Sequence, residues 1–136
     1  MTRAGRCLCG AVTWRYKGAE TWACYCHCNS CRRNCAAPVT AYIGVPFERF
    51  EWTGEQPKTF RSSPGVRRHF CGTCGTPMAF GADRYVGEIH LFAALLDDPA
   101  DFTPQFHVHY DERLPWLHIA DDLPKYSQFA TKEPTP

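Results

Sequence analysis

Short stretches in which apolar and polar residues alternate follow one another along this chain, separated by residues typical of turns. Alternation with a period of two, rich in β-branched and aromatic residues, indicates strands that are buried on one face. The pattern predicts strands at residues 6–16, 21–24, 39–43, 47–52, 58–61, 66–70, 77–80, 85–92 and 106–110. Turns are predicted at residues 17–20, 44–46, 53–57 and 62–65. The sequence therefore predicts a mainly β fold.

Helical signals are few and short. Asn29 or Ser30 is a suitable N-cap for a helix over residues 31–36, and Pro38 ends that helix because the residue before a proline avoids helical geometry. At residues 98–101 the order aspartate, proline, alanine, aspartate supplies a cap, a first-turn proline and a first-turn acid. This order predicts a single helical turn.

The length and charge of the chain narrow its class. At 136 residues it suits one domain with its own core, and residues 132–136 are expected to fray. A formal net charge of +1 offers no extended basic surface for nucleic acid. The longest apolar run, residues 91–96, is far shorter than the ~20 residues of a membrane-spanning helix. No signal-peptide pattern precedes the first cysteines, so we expect a cytoplasmic protein with no membrane partner.

Nine cysteines are the most unusual feature of the composition. Their number is odd, and two cysteines separated by a single residue are poorly placed to bond each other. A disulfide framework is therefore not indicated. Short-spaced thiols in a reducing compartment are more typical of metal ligands. Seven of them follow the spacings C-x-C, C-x-C-x-x-C and C-x-x-C: Cys7, Cys9, Cys26, Cys28, Cys31, Cys71 and Cys74.

Four of these thiols, the four-cysteine group (Cys7, Cys9, Cys71 and Cys74), predict a closed structural zinc site. Cys7 and Cys9 lie two apart on the first predicted strand and would offer both sulfurs on one face. Cys71 and Cys74 flank a tight, glycine-containing turn with the shape of a zinc knuckle. Four cysteines saturate a tetrahedral zinc, with Zn–S distances near ~2.3 Å and sulfurs about 3.8 Å apart. The ion would join the N-terminal strand to the middle of the sheet.

The other three, the three-cysteine group (Cys26, Cys28 and Cys31), would leave a zinc with one open coordination position. An ion held in this way polarises a thiol or carbonyl group that it binds, so this group is the predicted catalytic site. Two alternatives stay open. Cys24 or Cys35 fills the fourth position and closes the site, or the site is only partly occupied because three ligands bind less tightly than four.

Arginines close to the cysteine motifs are the candidates for binding a substrate. Their planar guanidinium groups suit the carboxylates of an acidic substrate, and the alternative is that they are solvated surface residues. They are Arg32, Arg33, Arg67 and Arg68.

Four histidines near the motifs are weaker candidates. His27 lies inside the three-cysteine group and cannot easily share the face of its neighbours, so it is expected to pack or to support the ligands. His69 is a candidate acid or base. His107 and His109 would share one face of the last predicted strand, and His107 is a candidate substrate-binding residue unless it is simply buried and hydrogen-bonded.

Three segments resemble motifs of the glutathione-dependent formaldehyde-activating enzyme family, also called the centromere protein V family. They are residues 5–12 (GRCLCGAV), 26–33 (CHCNSCRR) and 62–75 (SSPGVRRHFCGTCG), and later landmarks follow in the same order at residues 96–99, 107–108, 115–116 and 122–124. One departure is Ala36-Ala37, which stands after Cys35 where the family often has Gly-Ala. We expect this departure to narrow the pocket or to add the Cys35 thiol to it.

The resemblance implies a β-tent fold of small antiparallel sheets, with a structural zinc on the four-cysteine group and a second zinc on the three-cysteine group. It also implies a carbon–sulfur lyase that joins or splits glutathione and formaldehyde through S-hydroxymethylglutathione, with a small thiol as its partner. Two alternatives are a non-catalytic zinc module for a protein or nucleic-acid partner, and a redox sensor that uses Cys24 or Cys35. A homodimer formed through an exposed sheet edge also stays open.

Overall fold

The computed structural model describes residues 1–130, in which the chain forms ten strands and one short helix. The predicted frayed tail, residues 132–136, lies outside the described residues. The strands are β1 (Thr2–Arg6), β2 (Thr13–Lys17), β3 (Trp22–Cys26), β4 (Thr40–Pro46), β5 (Phe50–Trp52), β6 (Lys58–Ser63), β7 (Val66–Phe70), β8 (Pro77–Ala82), β9 (Glu88–Phe92) and β10 (Phe106–Val108). Helix α1 spans Asn29–Cys35, and 3-10 turns lie at Phe47–Arg49, Ala93–Leu95, Pro99–Asp101 and Tyr110–Glu112. The predicted mainly β fold with short helical turns is confirmed.

The strands form two sheets. Strands β1, β2 and β5 make a three-stranded sheet in the order β1-β2-β5, and the other seven make a sheet in the order β10-β3-β4-β9-β8-β7-β6. All neighbours are antiparallel except β10, which runs parallel to β3. A parallel neighbour needs a long crossover connection, and the chain makes it by returning from β9 to the outer side of β3. The C-terminal part of the chain is thereby brought beside the three-cysteine group.

The two faces of the seven-stranded sheet have different roles. On β4 and β9, Ile43 and Leu91 pack in the main core with Trp14 of the smaller sheet. Residues one position out of phase, Tyr42 and Phe92, pack in a second cluster that also contains Cys24, Cys26 and Cys31. Because side chains alternate between the faces of a strand, the sheet buries one face in the core and presents the other to the three-cysteine group.

Two predicted boundaries are wrong where glycine and proline suggested a turn. Residues 44–46 lie inside β4, and the turn follows at Phe47–Arg49 in a segment predicted as strand. A Cβ atom on Gly44 would lie 2.2 Å from Cε2 of Trp22. The glycine is therefore required by the close approach of an aromatic ring, not by a change of chain direction.

The helical predictions have a mixed outcome. The single turn at Pro99–Asp101 is confirmed, and the Asp98 side chain accepts a hydrogen bond from the Ala100 N–H at 3.0 Å. Helix α1 begins earlier than predicted because Cys28, rather than Asn29 or Ser30, is its N-cap. No helix of the described residues is long and apolar enough to cross a bilayer.

Candidate metal centres and active-site cavity

The four-cysteine group converges on one point. Its four Sγ atoms all lie within 4.8 Å of one another. The Sγ of Cys9 is 3.6 Å from that of Cys7 and 3.8 Å from that of Cys71. A tetrahedral ion with metal–sulfur bonds of about 2.3 Å requires sulfurs about 3.8 Å apart. The group therefore fits a single four-coordinate metal ion.

The first half of this group is supplied by a turn rather than by a strand. Residues 7–10 form the bend between β1 and β2, where the Gly10 N–H donates to the Cys7 carbonyl and Gly10 has a φ of +83°. The expectation that Cys7 and Cys9 share a strand face is wrong, although their sulfurs do meet. The Val12 N–H donates to the Cys7 Sγ at 3.3 Å, which favours the thiolate that a metal requires.

The second half is a knuckle with a similar arrangement of donors. The N–H groups of Thr73 and Cys74 both lie 3.4 Å from the Cys71 Sγ. The Thr76 hydroxyl, 3.1 Å from the Cys74 Sγ, is the main cause that lowers the pKa of Cys74 to about 5. Backbone and hydroxyl donors thus surround sulfurs that carry negative charge when they hold a metal.

The three-cysteine group lies where β3 passes into α1. Its Sγ atoms also lie within 4.8 Å of one another, and the Cys31 N–H donates to the Cys28 Sγ at 3.2 Å as part of the helix cap. Cys26 and Cys31 are buried and Cys28 is partly exposed. The turn from β3 into α1 therefore places three sulfurs close enough together to bind one metal ion.

No fourth ligand completes this group among residues 1–130. Neither Cys24 nor Cys35 has its sulfur within 4.8 Å of all three, so the closed alternative is not supported. Burial raises the pKa of Cys24 to about 12, so that this thiol behaves as a small apolar side chain. The group matches a metal site that keeps a coordination position for a further ligand.

The Cys31 sulfur has a hydroxyl donor and a positive charge close to it. Hydrogen bonds from Cys26 and then Cys28 lower the pKa of the Cys31 thiol, and the Tyr42 hydroxyl, 3.3 Å away, lowers it further. Hydrogen bonding with Cys28 and Cys31, together with burial, raises the pKa of Cys26. Arg68 adds a positive charge, with Nη1 at 4.0 Å from the Cys31 Sγ.

A cavity of about 800 Å³ opens directly beside the three-cysteine group, and all three cysteines line it. Its volume lies within the usual range for small-molecule sites, about 300–1,000 Å³. Its apolar walls include Trp22, Tyr42, Phe80, Phe106, Val108 and Phe129. Arg33, Arg68 and Arg84 also line it, and no aspartate or glutamate of the described residues does. The cavity thus combines apolar walls with positive charge.

Arg68 is the most buried of these arginines, with only 8% of its surface exposed. Its Nε donates to the Ser62 hydroxyl at 3.0 Å, and its guanidinium carbon lies 5.2 Å from the centre of the Phe80 ring. Among the described residues it forms no ion pair with a carboxylate. A buried guanidinium with unused donors beside a cavity is suited to binding an anionic group.

Three of the predicted substrate-binding residues lie outside this cavity: Arg32, Arg67 and His107. Arg32 donates from Nε to the His27 carbonyl at 3.0 Å, and Arg67 pairs with Asp83 at 2.8 Å in a separate surface hollow. Adjacent residues of a strand point to opposite faces, which is why Arg68 lines the cavity and Arg67 does not. Arg33, like Arg68, lines the cavity, and its role in binding a substrate stays a prediction.

The predicted histidines separate into different environments. His109 has a φ of +52° and follows the end of β10, so it does not share a strand face with His107. His69 is held by the Thr59 hydroxyl at 2.9 Å and lies outside the cavity. His107 is fully buried, with Nδ1 at 2.8 Å from Nε2 of His27 and Nε2 at 2.9 Å from Oδ2 of Asp121.

Several cavity residues have no local signal in the sequence. Tyr42 and His90 lie one residue out of phase with the main core on β4 and β9, but nothing in their neighbourhood indicates that the second face is occupied. Arg84 and Phe129 meet at the cavity, with the guanidinium carbon 3.9 Å from the ring centre, although they are distant in the chain. Cys35, in contrast, is not one of the lining residues, so the departure at residues 35–37 adds no thiol to the cavity.

Comparisons with known proteins agree with this geometry. A crystal structure of a Rhodobacter sphaeroides protein matches with a TM-score of 0.59 and 22% identity over 72% of this chain and 93% of the other, which is a similarity of fold. A Schizosaccharomyces pombe protein named an uncharacterized lyase is 32% identical over 76 residues, 56% of this chain and 55% of that protein. The chain therefore spans just over half the length of that relative. The sequence model of the glutathione-dependent formaldehyde-activating enzyme family matches residues 2–112 of this chain. The chain therefore belongs to this family.

Proposed function

We propose that this protein is a zinc-dependent carbon–sulfur lyase that joins or splits a small thiol and an aldehyde through their hydroxyalkyl thioether, with S-hydroxymethylglutathione as the expected adduct. The observation that carries the proposal is the three-cysteine group, which faces a cavity and has no fourth ligand among the described residues. Membership of the family and the lyase name of a relative support the same class of reaction.

The two cysteine groups suit two zinc ions with different roles. The four-cysteine group is complete, lies outside the cavity and receives several N–H donors, which suits a structural ion. The three-cysteine group suits a second zinc, which when bound would supply a Lewis acid that favours the thiolate form of a substrate sulfur. Free thiolates of this kind call for a reducing compartment, so we also propose a cytoplasmic location.

The surrounding side chains would stabilise the charges that change during the reaction. In the cleavage direction the adduct hydroxyl loses its proton to solvent water, the C=O bond forms, the C–S bond breaks and its electron pair stays on sulfur. Negative charge therefore passes from oxygen to sulfur. The Arg68 guanidinium lies beside the Cys31 sulfur and lines the cavity, where it would stabilise negative charge on the bound adduct. The buried Tyr42 hydroxyl donates a hydrogen bond to the Cys31 Sγ and stabilises negative charge on that sulfur.

The charge of the cavity favours a thiol that carries carboxylates. Arg33, Arg68 and Arg84 line it without an acidic counterpart in the described part of the chain. Glutathione has two carboxylates and a peptide backbone, and the cavity volume of about 800 Å³ is large enough for a molecule of this size. The Trp22 and Phe106 side chains would contact its apolar parts.

The decisive experiment measures the metal and its ligands together. Zinc content and the mean number of sulfur ligands per zinc would be determined for the wild type, Cys31→Ser and the control Cys35→Ser, with and without glutathione. We expect two zinc ions in the wild type and in Cys35→Ser, and one in Cys31→Ser. Glutathione should raise the mean sulfur number in the wild type from about 3.5 to about 4, as one thiolate joins the second ion.

The reaction itself would be followed by the release of formaldehyde from S-hydroxymethylglutathione. The wild type and Cys35→Ser should accelerate it and Cys31→Ser should not. If glutathione leaves the sulfur coordination unchanged and the rate equals that without protein, the lyase proposal fails. A zinc module that binds a protein or nucleic-acid partner would then be the better explanation of the two metal sites.

A further inference from the structure

We propose that Asp121 is a positioning residue for the three-cysteine group, acting through His107 and His27. A continuous line of hydrogen bonds connects them: Asp121 Oδ2 lies 2.9 Å from His107 Nε2, and His107 Nδ1 lies 2.8 Å from His27 Nε2. Both imidazoles are almost completely buried, and they meet edge to edge, with ring centres 5.1 Å apart and ring planes 23° from parallel. The inference rests on the proposed function, because it concerns the metal that this group would hold.

When Asp121 is ionised and both imidazoles are neutral, every hydrogen bond of this line has a single direction. An ionised carboxylate only accepts, so the His107 Nε2 carries the hydrogen that is donated to Asp121. A neutral imidazole has one N–H, which leaves the His107 Nδ1 as an acceptor for the His27 Nε2–H. The carboxylate thereby selects one tautomer in both rings and one orientation of the His27 side chain.

The position of His27 in the chain makes this orientation matter for the cysteines. It stands between Cys26 and Cys28, so its backbone belongs to the segment that carries two of the three sulfurs. Its N–H donates to the Val108 carbonyl at 3.1 Å, and its carbonyl accepts from Arg32 Nε at 3.0 Å. Because Nε2 is hydrogen-bonded as well, the N–H, the carbonyl and Nε2 of His27 all have partners among the described residues, and Nδ1 does not.

The far end of the line is itself firmly held. The Leu123 N–H donates to Asp121 Oδ1 at 3.0 Å, and the Lys125 ammonium lies 3.1 Å from the same oxygen. The hydrogen bonds from His107 and Leu123 outweigh the opposing effect of burial and lower the pKa of Asp121 to about 2. The side chain thus stays an ionised acceptor at neutral pH.

Asp121 lies after the stretch of the chain that the family model matches, residues 2–112. The C-terminal segment has no cysteine, and of the segments that carry the resemblance it contains only the short landmarks at residues 115–116 and 122–124. It nevertheless supplies the last anchor of the segment that carries Cys26 and Cys28. We therefore assign the C-terminal segment that contains Asp121 a part in forming the second metal site.

The test compares the two metal sites inside the same molecule. Metal dissociation constants for both sites would be measured by competition with a chelator in the wild type, Asp121→Asn, Asp121→Ala and the control Asp122→Asn, whose side chain is exposed. The Cys31→Ser variant identifies the signal of the four-cysteine group. We expect the second site to weaken about tenfold or more in Asp121→Ala, as is usual when residues that orient metal ligands are lost. Asp121→Asn should retain part of the affinity because its amide oxygen can still accept.

A second readout follows the imidazole tautomers, independently of any reaction. Nitrogen–hydrogen correlation spectra of the histidine side chains at pH 8 should show the Nε2–H form of both rings in the wild type, and loss of this form for His107 in Asp121→Ala. Equal weakening of both metal sites would indicate general destabilisation and overturn the inference, as would unchanged affinities or unchanged tautomers. A wild-type protein that binds a single metal would remove the proposed function together with the inference, whereas two sites that Asp121→Ala leaves intact would overturn the inference alone.

Discussion

Replacement of Arg68 by methionine removes a nearly buried positive charge beside the three-cysteine group while keeping a side chain that can pack on Phe80. Arg67→Met is the matched control, because Arg67 is the preceding residue of the same strand and pairs with Asp83 outside the cavity. The two variants have the same change of charge and composition. Any difference in rate between the two variants therefore depends on where the lost charge lies relative to the cavity.

The separation of the charges gives the size of the expected effect. Arg68 Nη1 lies 4.0 Å from the Cys31 Sγ. Two unit charges at this distance interact by about 4 kcal/mol at an effective dielectric constant of about 20. Loss of one preorganised donor from a charge-stabilising site typically costs 10²–10³-fold in kcat, or about 2.7–4 kcal/mol. We therefore expect Arg68→Met to lower kcat/KM by about 10²–10³-fold and Arg67→Met to leave it within about twofold.

The assay is the rate of exchange between glutathione plus formaldehyde and their adduct, measured by magnetisation transfer over a range of substrate concentrations. Zinc content would be measured in parallel, since a variant that loses the second ion says nothing about the charge. Arg68→Lys should recover part of the activity, because it restores the charge but not the planar donors. Equal rates for Arg68→Met and Arg67→Met, with both metals retained, would refute this account of the cavity.

Two further predictions concern stability. In Glu20→Gln, the free energy of unfolding at pH 7 should fall by about 1.5–3 kcal/mol. Burial opposes ionisation of Glu20, but hydrogen bonds from Tyr16 and Arg3 outweigh it and lower its pKa, so this stabilisation is present above the ordinary carboxyl pKa of 4.5 and is lost as the pH falls below it. Ala36→Gly should raise the free energy of unfolding by about 0.5–1 kcal/mol, because Ala36 ends α1 with a left-handed φ of +51° that glycine adopts without strain.

Each of these stability predictions has a control in the same chain. The control for Glu20→Gln is Glu55→Gln, which changes an exposed side chain and should leave the free energy of unfolding at pH 7 close to that of the wild type. A difference between wild type and Glu20→Gln that persists unchanged from pH 7 to pH 3 would contradict the role given to ionisation. Ala37 has no positive φ, so Ala37→Gly should destabilise the protein. Thermal and denaturant unfolding of both pairs provides the measurement, and a loss of stability in Ala36→Gly would contradict the strain argument.

Local residue patterns were enough to predict the cysteine groups, the mainly β character and the family. A C-x-C or C-x-x-C spacing restricts two sulfurs to a short distance in almost any turn, so the metal-binding pattern survives even where the local structure was predicted wrongly, as at Cys7 and Cys9. The helical turn at Pro99–Asp101 was equally accessible, because its cap, proline and acid all act within a few residues.

The residues that surround these groups could be identified only from the packed sheets. The choice between Arg67 and Arg68 depends on which face of β7 meets the cavity, and that face is set by the pairing of β7 with β8 and of β8 with β9. The approach of Asp121 to His107 depends on the parallel return of β10 beside β3. Such contacts join residues that are distant in the chain, and their positions follow from how the sheets pack rather than from any pattern of neighbouring residues.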